Sequence, residues 1–175
     1  RAAELLKERD PTRALQLVDA ILASSSSGPD AHALRARLLE RSETWHLAAD
    51  EHRRLIELAT DDGERVDRLL ALAELLRTRL GQRSQAIECV RQALVVDAKE
   101  SRALAMLVVL LDELEDPREA ERGLLALADG VDGELRARVL WKAAGRAEFG
   151  SSSDVSALGA LHRLADENPS ETWLV

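Results

Sequence analysis

The sequence predicts an all-α protein, a solenoid of stacked antiparallel helix pairs, and three observations carry that prediction. Apolar residues recur three and four positions apart along nearly the whole chain, the period of a helix with one buried face. Comparable alanines, Ala14, Ala48, Ala86, Ala120 and Ala157, return at separations of 34, 38, 34 and 37 residues, a solenoid-like period. The composition is 46% hydrophobic but only 2% aromatic with no Tyr, which suits closely packed helices and suits sheets poorly.

Taken in order, the elements follow from local signals. A partial first unit, residues 1–28, opens in mid-pattern at Arg1-Ala2-Ala3-Glu4-Leu5-Leu6. It then meets Asp10-Pro11, an N-cap followed by proline in the first turn, and the helix carrying Ala14, Val18 and Ile21. The polar run Ser24 to Pro29 closes it. The second unit, 29–62, sets Ala36 twelve residues before Ala48, with a break at Ser42-Glu43-Thr44 between them. The third, 63–99, follows Asp61-Asp62-Gly63. Its first helix carries Leu69, Leu72, Ala73, Leu76 and Leu80, Gly81-Gln82 makes the turn, and Ala86, Val90, Ala93 and Leu94 mark the second helix.

The fourth unit, 100–132, contains Ala103 to Leu111, apolar almost all round, the pattern of a helix covered by neighbours on every side. Asp116-Pro117-Arg118-Glu119-Ala120 then repeats the capping device of Asp10-Pro11-Thr12-Arg13-Ala14, followed by Leu124, Leu127 and Ala128. The fifth unit, 133–169, follows the turn Asp129 to Gly133, breaks at Gly150 to Asp154, and runs through Ala157, Leu161 and Leu164 to Asn168-Pro169. Residues 170–175 begin a further unit. No segment keeps the two-residue alternation of a half-buried strand. About nine to ten helices of roughly 12–16 residues with short connections are expected. Both ends fall in mid-pattern, the last at Trp173-Leu174-Val175, as in a piece of a longer protein.

At Trp141-Lys142-Ala143-Ala144-Gly145, followed by Ala157, Leu161, Leu164 and Pro169, the chain resembles the tetratricopeptide repeat (TPR) family. That family's skeleton is W-x2-L-G, then A-x3-F, then P; here Ala144 replaces the Leu and Leu161 the aromatic. The other units match less closely. His32 stands where Trp141 would, Val108 takes the small position before Ala120, and Leu39, Arg77, Leu111 and Glu148 fall near the family's tyrosine. The resemblance extends over nearly the whole chain. It implies one TPR-like domain over 1–175, a right-handed α-solenoid whose first helices line a concave groove. It also implies that Trp141 and Trp45 are packing residues.

The same resemblance projects Ala33, Arg37 and Arg41 into the groove, then Leu70, Glu74 and Arg77, then Ala105, Val109 and Asp112, then Lys142, Arg146 and Phe149. Arg138, Lys142 and Arg146 step by four along one helix and form a basic stripe beside Phe149. Such a stripe can grip an acidic or carboxylate-bearing peptide through charge-assisted hydrogen bonds, with Phe149 as apolar anchor. The alternative is a set of solvated charges on an ordinary helix face. Chaperone-binding members of the family clamp carboxylates with Lys, Asn and Arg on these helices. Here the only Asn, Asn168, lies in a turn, so that role is not supported.

Composition narrows function further. A formal charge of −8 repels phosphate, and so few aromatics leave little to stack on bases, so no nucleic-acid partner is expected. The longest apolar run, Ala103 to Leu111, is far short of the roughly 20 residues of a membrane span. Cys89 has no partner for an internal disulfide and no nearby His, so an inert thiol is expected. His32, His46, His52 and His162 lack metal-ligand spacing and read as solvated or half-buried surface histidines. Asp129 to Glu134 lacks the ligand spacing of a calcium loop. Carboxylates such as Asp61, Asp62, Glu113 and Glu115 lie at turns and helix ends, and no phosphate loop or nucleophile elbow occurs.

The expected function is therefore a non-enzymatic scaffold that needs no cofactor or metal and holds a protein or peptide, an acidic one by the basic stripe. The alternative is a regulatory or sensor module of a larger protein carrying a kinase, a protease, or a secretion or assembly factor. With no signal sequence in view, a cytoplasmic location is expected. Lysine occurs only at Lys7, Lys99 and Lys142 among 24 basic residues, an arginine bias that fits a GC-rich bacterial coding sequence.

Overall fold

The computed structural model describes residues 11–23 and 28–146, together with positions 159, 162, 165 and 166. Among the described residues there is no strand, and eight helices follow one another: α1 Pro11–Ala23, α2 Pro29–Arg41, α3 Trp45–Leu58, α4 Asp62–Thr78, α5 Arg83–Val96, α6 Ser101–Asp112, α7 Pro117–Ala128 and α8 Gly133–Arg146. The Asp10 cap, Phe149, Ala157, Leu161, Leu164, Asn168, Pro169 and Trp173 lie outside the described residues. Two compact units, Arg1–Leu104 and Ala105–Val175, divide the chain inside α6.

In the first unit each helix packs on the next, α1 on α2, α2 on α3, α3 on α4 and α4 on α5. Small residues make this possible. Ala14, Ala48 and Ala86 are all fully buried, and so is Ala73 on α4, while Ala36 on α2 is nearly so. A methyl at the crossing lets two backbones approach to the 8–10 Å typical of ridge-into-groove packing. Leu38, Leu39, Leu55 and Leu76 fill the space around these crossings and are at most 2% exposed. Each such leucine stabilises the fold by roughly 1.5–3 kcal/mol relative to leaving it in water.

Helix ends are set by local chemistry. Asp61 caps α4, its carboxylate accepting from the Glu64 N–H at 2.8 Å, and the Glu64 carboxylate reaches back to the Thr60 N–H at 3.4 Å. The turn after α4 passes through Gly81 at φ 65, and the turn after α2 places Glu43 at φ 56 in the corresponding position. A left-handed conformation is free for glycine and strained for glutamate.

In the second unit α7 packs on α8. Asp116 caps α7 by accepting from the Arg118 N–H at 2.9 Å, with Pro117 in the first turn, as the sequence indicated. Ala120, Leu124 and Ala128 form its fully buried stripe, and Val139, Leu140 and Ala143 form that of α8. Gly123 lies so close to α6 that a Cβ there would stand 2.6 Å from Cδ2 of Leu111.

Several sequence expectations need correction. Trp141 is not packed away but 53% exposed, because the buried stripe of α8 runs through Val139, Leu140 and Ala143. Ala105 and Val109 are exposed, so the apolar helix α6 is covered on part of its circumference only. Leu70 is buried rather than facing a groove, and Ile21 is exposed rather than packed. His32 and His52 are buried, for reasons given below.

Candidate functional site

The second unit brings together the C-terminal half of α6 and the face of α8 that carries the basic stripe. Helical spacing places Ala105, Val109 and Asp112 along one side of α6, and Ala105 and Val109 are exposed, Val109 by 43%. On α8, Arg138, Lys142 and Arg146 recur every four residues, with Arg138 exposed and the other two half-buried. The two rows meet at Asp112. Lys142 Nζ donates to Asp112 Oδ2, and Arg146 Nε donates to Oδ1 at 3.2 Å. Burial alone would push the Asp112 carboxyl up. Lys142 and then Arg146 outweigh that effect and hold it below the usual carboxylate range.

The sequence projection lines these residues up along one side of each helix but misses the pairing across them. A signal for it existed. Asp112 and Arg146 are 34 residues apart, one repeat, so they occupy matching positions on successive first helices. Charge of opposite sign at such positions is the solenoid counterpart of a cross-strand pair.

The first unit carries the remaining projected residues. Arg37 is exposed on α2. Arg77 is half-buried on α4, where its guanidinium grips Glu74 through Nε at 3.2 Å and Nη2 at 2.9 Å. On neighbouring first helices Arg102 of α6 reaches Asp67 of α4 at 2.9 Å. Glu100 and then Asp67 push the Arg102 pKa above its ordinary value. Trp45 is half-buried, and the exposed Arg79 guanidinium lies 4.8 Å from its ring centroid.

A buried ionic network between α1, α2 and α3 escaped sequence reasoning altogether. Glu51 is 1% exposed and receives Arg35 Nη1, His32 Nδ1 at 2.7 Å and, more distantly, Arg54 Nη1 at 3.5 Å. A carboxylate only accepts, so His32 carries its proton on Nδ1. Arg35 also bonds Asp19 of α1 at 2.7 Å through Nε. Burial would lower the Arg35 pKa, but Asp19 and Glu51 together raise it. A second pair, His52 Nε2 to Glu40 Oε1 at 2.7 Å, ties α3 to α2 again. Each buried histidine thus has a carboxylate on one ring nitrogen, while Nδ1 of His52 is buried without a partner. His46 and His162 are exposed.

Other chemistry is sparse among the described residues. No cluster of three or more His, Cys, Asp or Glu side chains could hold a metal, and no helix is long and apolar enough to cross a membrane. Burial pushes the Cys89 thiol above its ordinary range, with Glu88 adding to the shift and Arg53 opposing it, which suppresses the reactive thiolate. An open pocket of about 410 Å³ at α1, α2 and α3 is lined by Leu22, His32, Arg54, Glu57 and Leu58.

No family model matches the sequence, and no curated protein matches it either. Solved structures do match the fold. YrrB, a TPR protein with an unusual peptide-binding site, superposes at a TM-score of 0.53 and 19% identity, over 98% of this chain and 86% of YrrB. MamA from Desulfovibrio magneticus RS-1, from residue 41 to its end, gives 0.54 at 11% identity over 98% and 93% of the two chains. The C-terminal part of a TPR repeat-containing protein from Cytophaga hutchinsonii gives 0.54 at 14% identity over 97% and 64%. At such identities the likeness is one of fold: this chain has the all-α helical-repeat fold of TPR proteins.

Proposed function

We propose that this chain is a non-catalytic interaction scaffold that holds a peptide segment of a partner protein across the exposed face of α6 and α8. One observation carries the reading. Apolar Ala105 and Val109 stand open on α6, next to a charged row on α8 that is anchored to α6 at Asp112. Each helix pair buries one face to fold, and the face left open can be spent on a partner. An exposed apolar strip edged by guanidinium and ammonium groups suits a peptide that presents apolar and acidic side chains together. The shared fold supports this reading, as does the peptide-binding site described for YrrB. Arg37 on α2 and Arg77 on α4 are the candidates of the same kind in the first unit, and Phe149 is the proposed apolar anchor beyond Arg146.

The test is capture with variants. The immobilised full chain is used beside Val109→Asp and Arg138→Glu, both at exposed positions where folding should survive. A partner held by the wild type and lost from both variants, with unchanged thermal unfolding of the bait, supports the reading. A partner held equally by all three chains contradicts it.

A further inference from the structure

We infer that Asp112 is an internal competitor for the partner's anionic group, so that the face of α6 and α8 selects peptides carrying several closely spaced carboxylates beside an apolar side chain. This rests on the reading proposed above and deepens it. The observation behind it is that Asp112 already occupies both Lys142 and Arg146. An incoming carboxylate must share those cations or displace Asp112 from them.

The exchange is accessible because none of the three groups is deeply buried. Their side chains are 38%, 30% and 35% exposed for Lys142, Arg146 and Asp112, so water can solvate whichever group is left over. A single carboxylate gains little, since it replaces one anion by another. A second carboxylate one turn away meets Arg138, which is exposed and has Glu134 one turn further on. Arg138, Lys142 and Arg146 gather three cations in one row on α8, two of them held by Asp112 with Glu113 following it, on a chain whose formal charge is −8. Acidic partners are repelled by most of the surface and admitted at this face. Val109 and Ala105 lie on the α6 side, where an apolar side chain between the acidic ones would rest.

The experiment measures fluorescence anisotropy of a labelled ten-residue peptide alternating glutamate and leucine, and of its glutamine-for-glutamate counterpart. Both are titrated with the full wild-type chain, Asp112→Asn, Asp112→Ala and Val109→Asp. Either Asp112 variant should tighten the acidic peptide on the order of three- to tenfold at low ionic strength, with a steeper loss as salt rises. The glutamine peptide should be indifferent to the change. Asp112 variants that bind the acidic peptide no tighter than wild type, while Val109→Asp still weakens it, overturn the competitor role and leave the scaffold reading standing. Acidic-peptide binding that no variant alters, Val109→Asp included, overturns both.

Discussion

Removal of the Glu51 carboxylate probes whether the buried ionic network holds α1, α2 and α3 together. In Glu51→Ala the side chain that is lost is 1% exposed, accepts from Arg35 and His32, and lies 3.5 Å from Nη1 of Arg54. Breaking a buried ion pair by deleting one partner typically costs about 3–5 kcal/mol, because the other charge is left uncompensated. Two features lower that figure here. Arg35 is 23% exposed and keeps Asp19, and Arg54 is more than half exposed and returns to water. His32 has neither escape, being 7% exposed with its Nδ1 aimed at Glu51. A loss of roughly 2–3 kcal/mol is expected, or about 4–12 °C in Tm for a chain of this size.

The neighbouring acid supplies the control. Asp50 is exposed and bonded only to exposed Arg53 among the contacts described, so Asp50→Ala should cost no more than about 0.5 kcal/mol. Urea unfolding followed by far-ultraviolet circular dichroism gives both numbers. Equal midpoints for the two variants would refute the reasoning, since both remove one carboxylate from α3 and only that of Glu51 is buried among partners.

Three further outcomes are expected. Ala120→Leu should overpack a fully buried helix crossing and cost about 1–3 kcal/mol by the same urea assay, whereas Ala126→Leu, exposed on the same helix, should be nearly neutral. Gly81→Ala should destabilise by roughly 1–2 kcal/mol and Glu43→Gly should not, because both positions hold positive φ and only one has the residue for it; differential scanning fluorimetry would show the contrast. The contribution of Asp112 should be fully present above the ordinary aspartate range, near pH 3.9, and be lost only as pH falls further through its lowered folded value. An acid titration of stability in which wild type gains on Asp112→Asn as pH falls, rather than losing an advantage held at neutral pH, would contradict that sign.

The repeat was legible because packing imposes it on the sequence. Ala14, Ala48, Ala86 and Ala120 recur near 34 residues, and each proves fully buried, since only a small side chain permits the close crossing. Caps were legible too, as Asp116 shows, because an N-cap needs only the adjacent residues. What failed to show was anything decided by a third helix. Trp141 was read from its place in a motif, yet exposure depends on which neighbours cover α8. His32 looked like a surface residue until Glu51, nineteen positions away, supplied its partner. The candidate face was half legible. Helical period puts Arg138, Lys142 and Arg146 in a row, but the anion that holds two of them sits on another helix, and period alone does not assign partners.

The most direct test maps where a peptide lands. Amide chemical shifts of the isotope-labelled chain, recorded while the glutamate–leucine peptide is added, should move at Ala105, Val109 and Asp112 on α6 and at Arg138 and Lys142 on α8. Movement confined instead to exposed apolar positions such as Leu47 on α3 and Val95 on α5, with α6 and α8 silent, would contradict the assignment of the binding face.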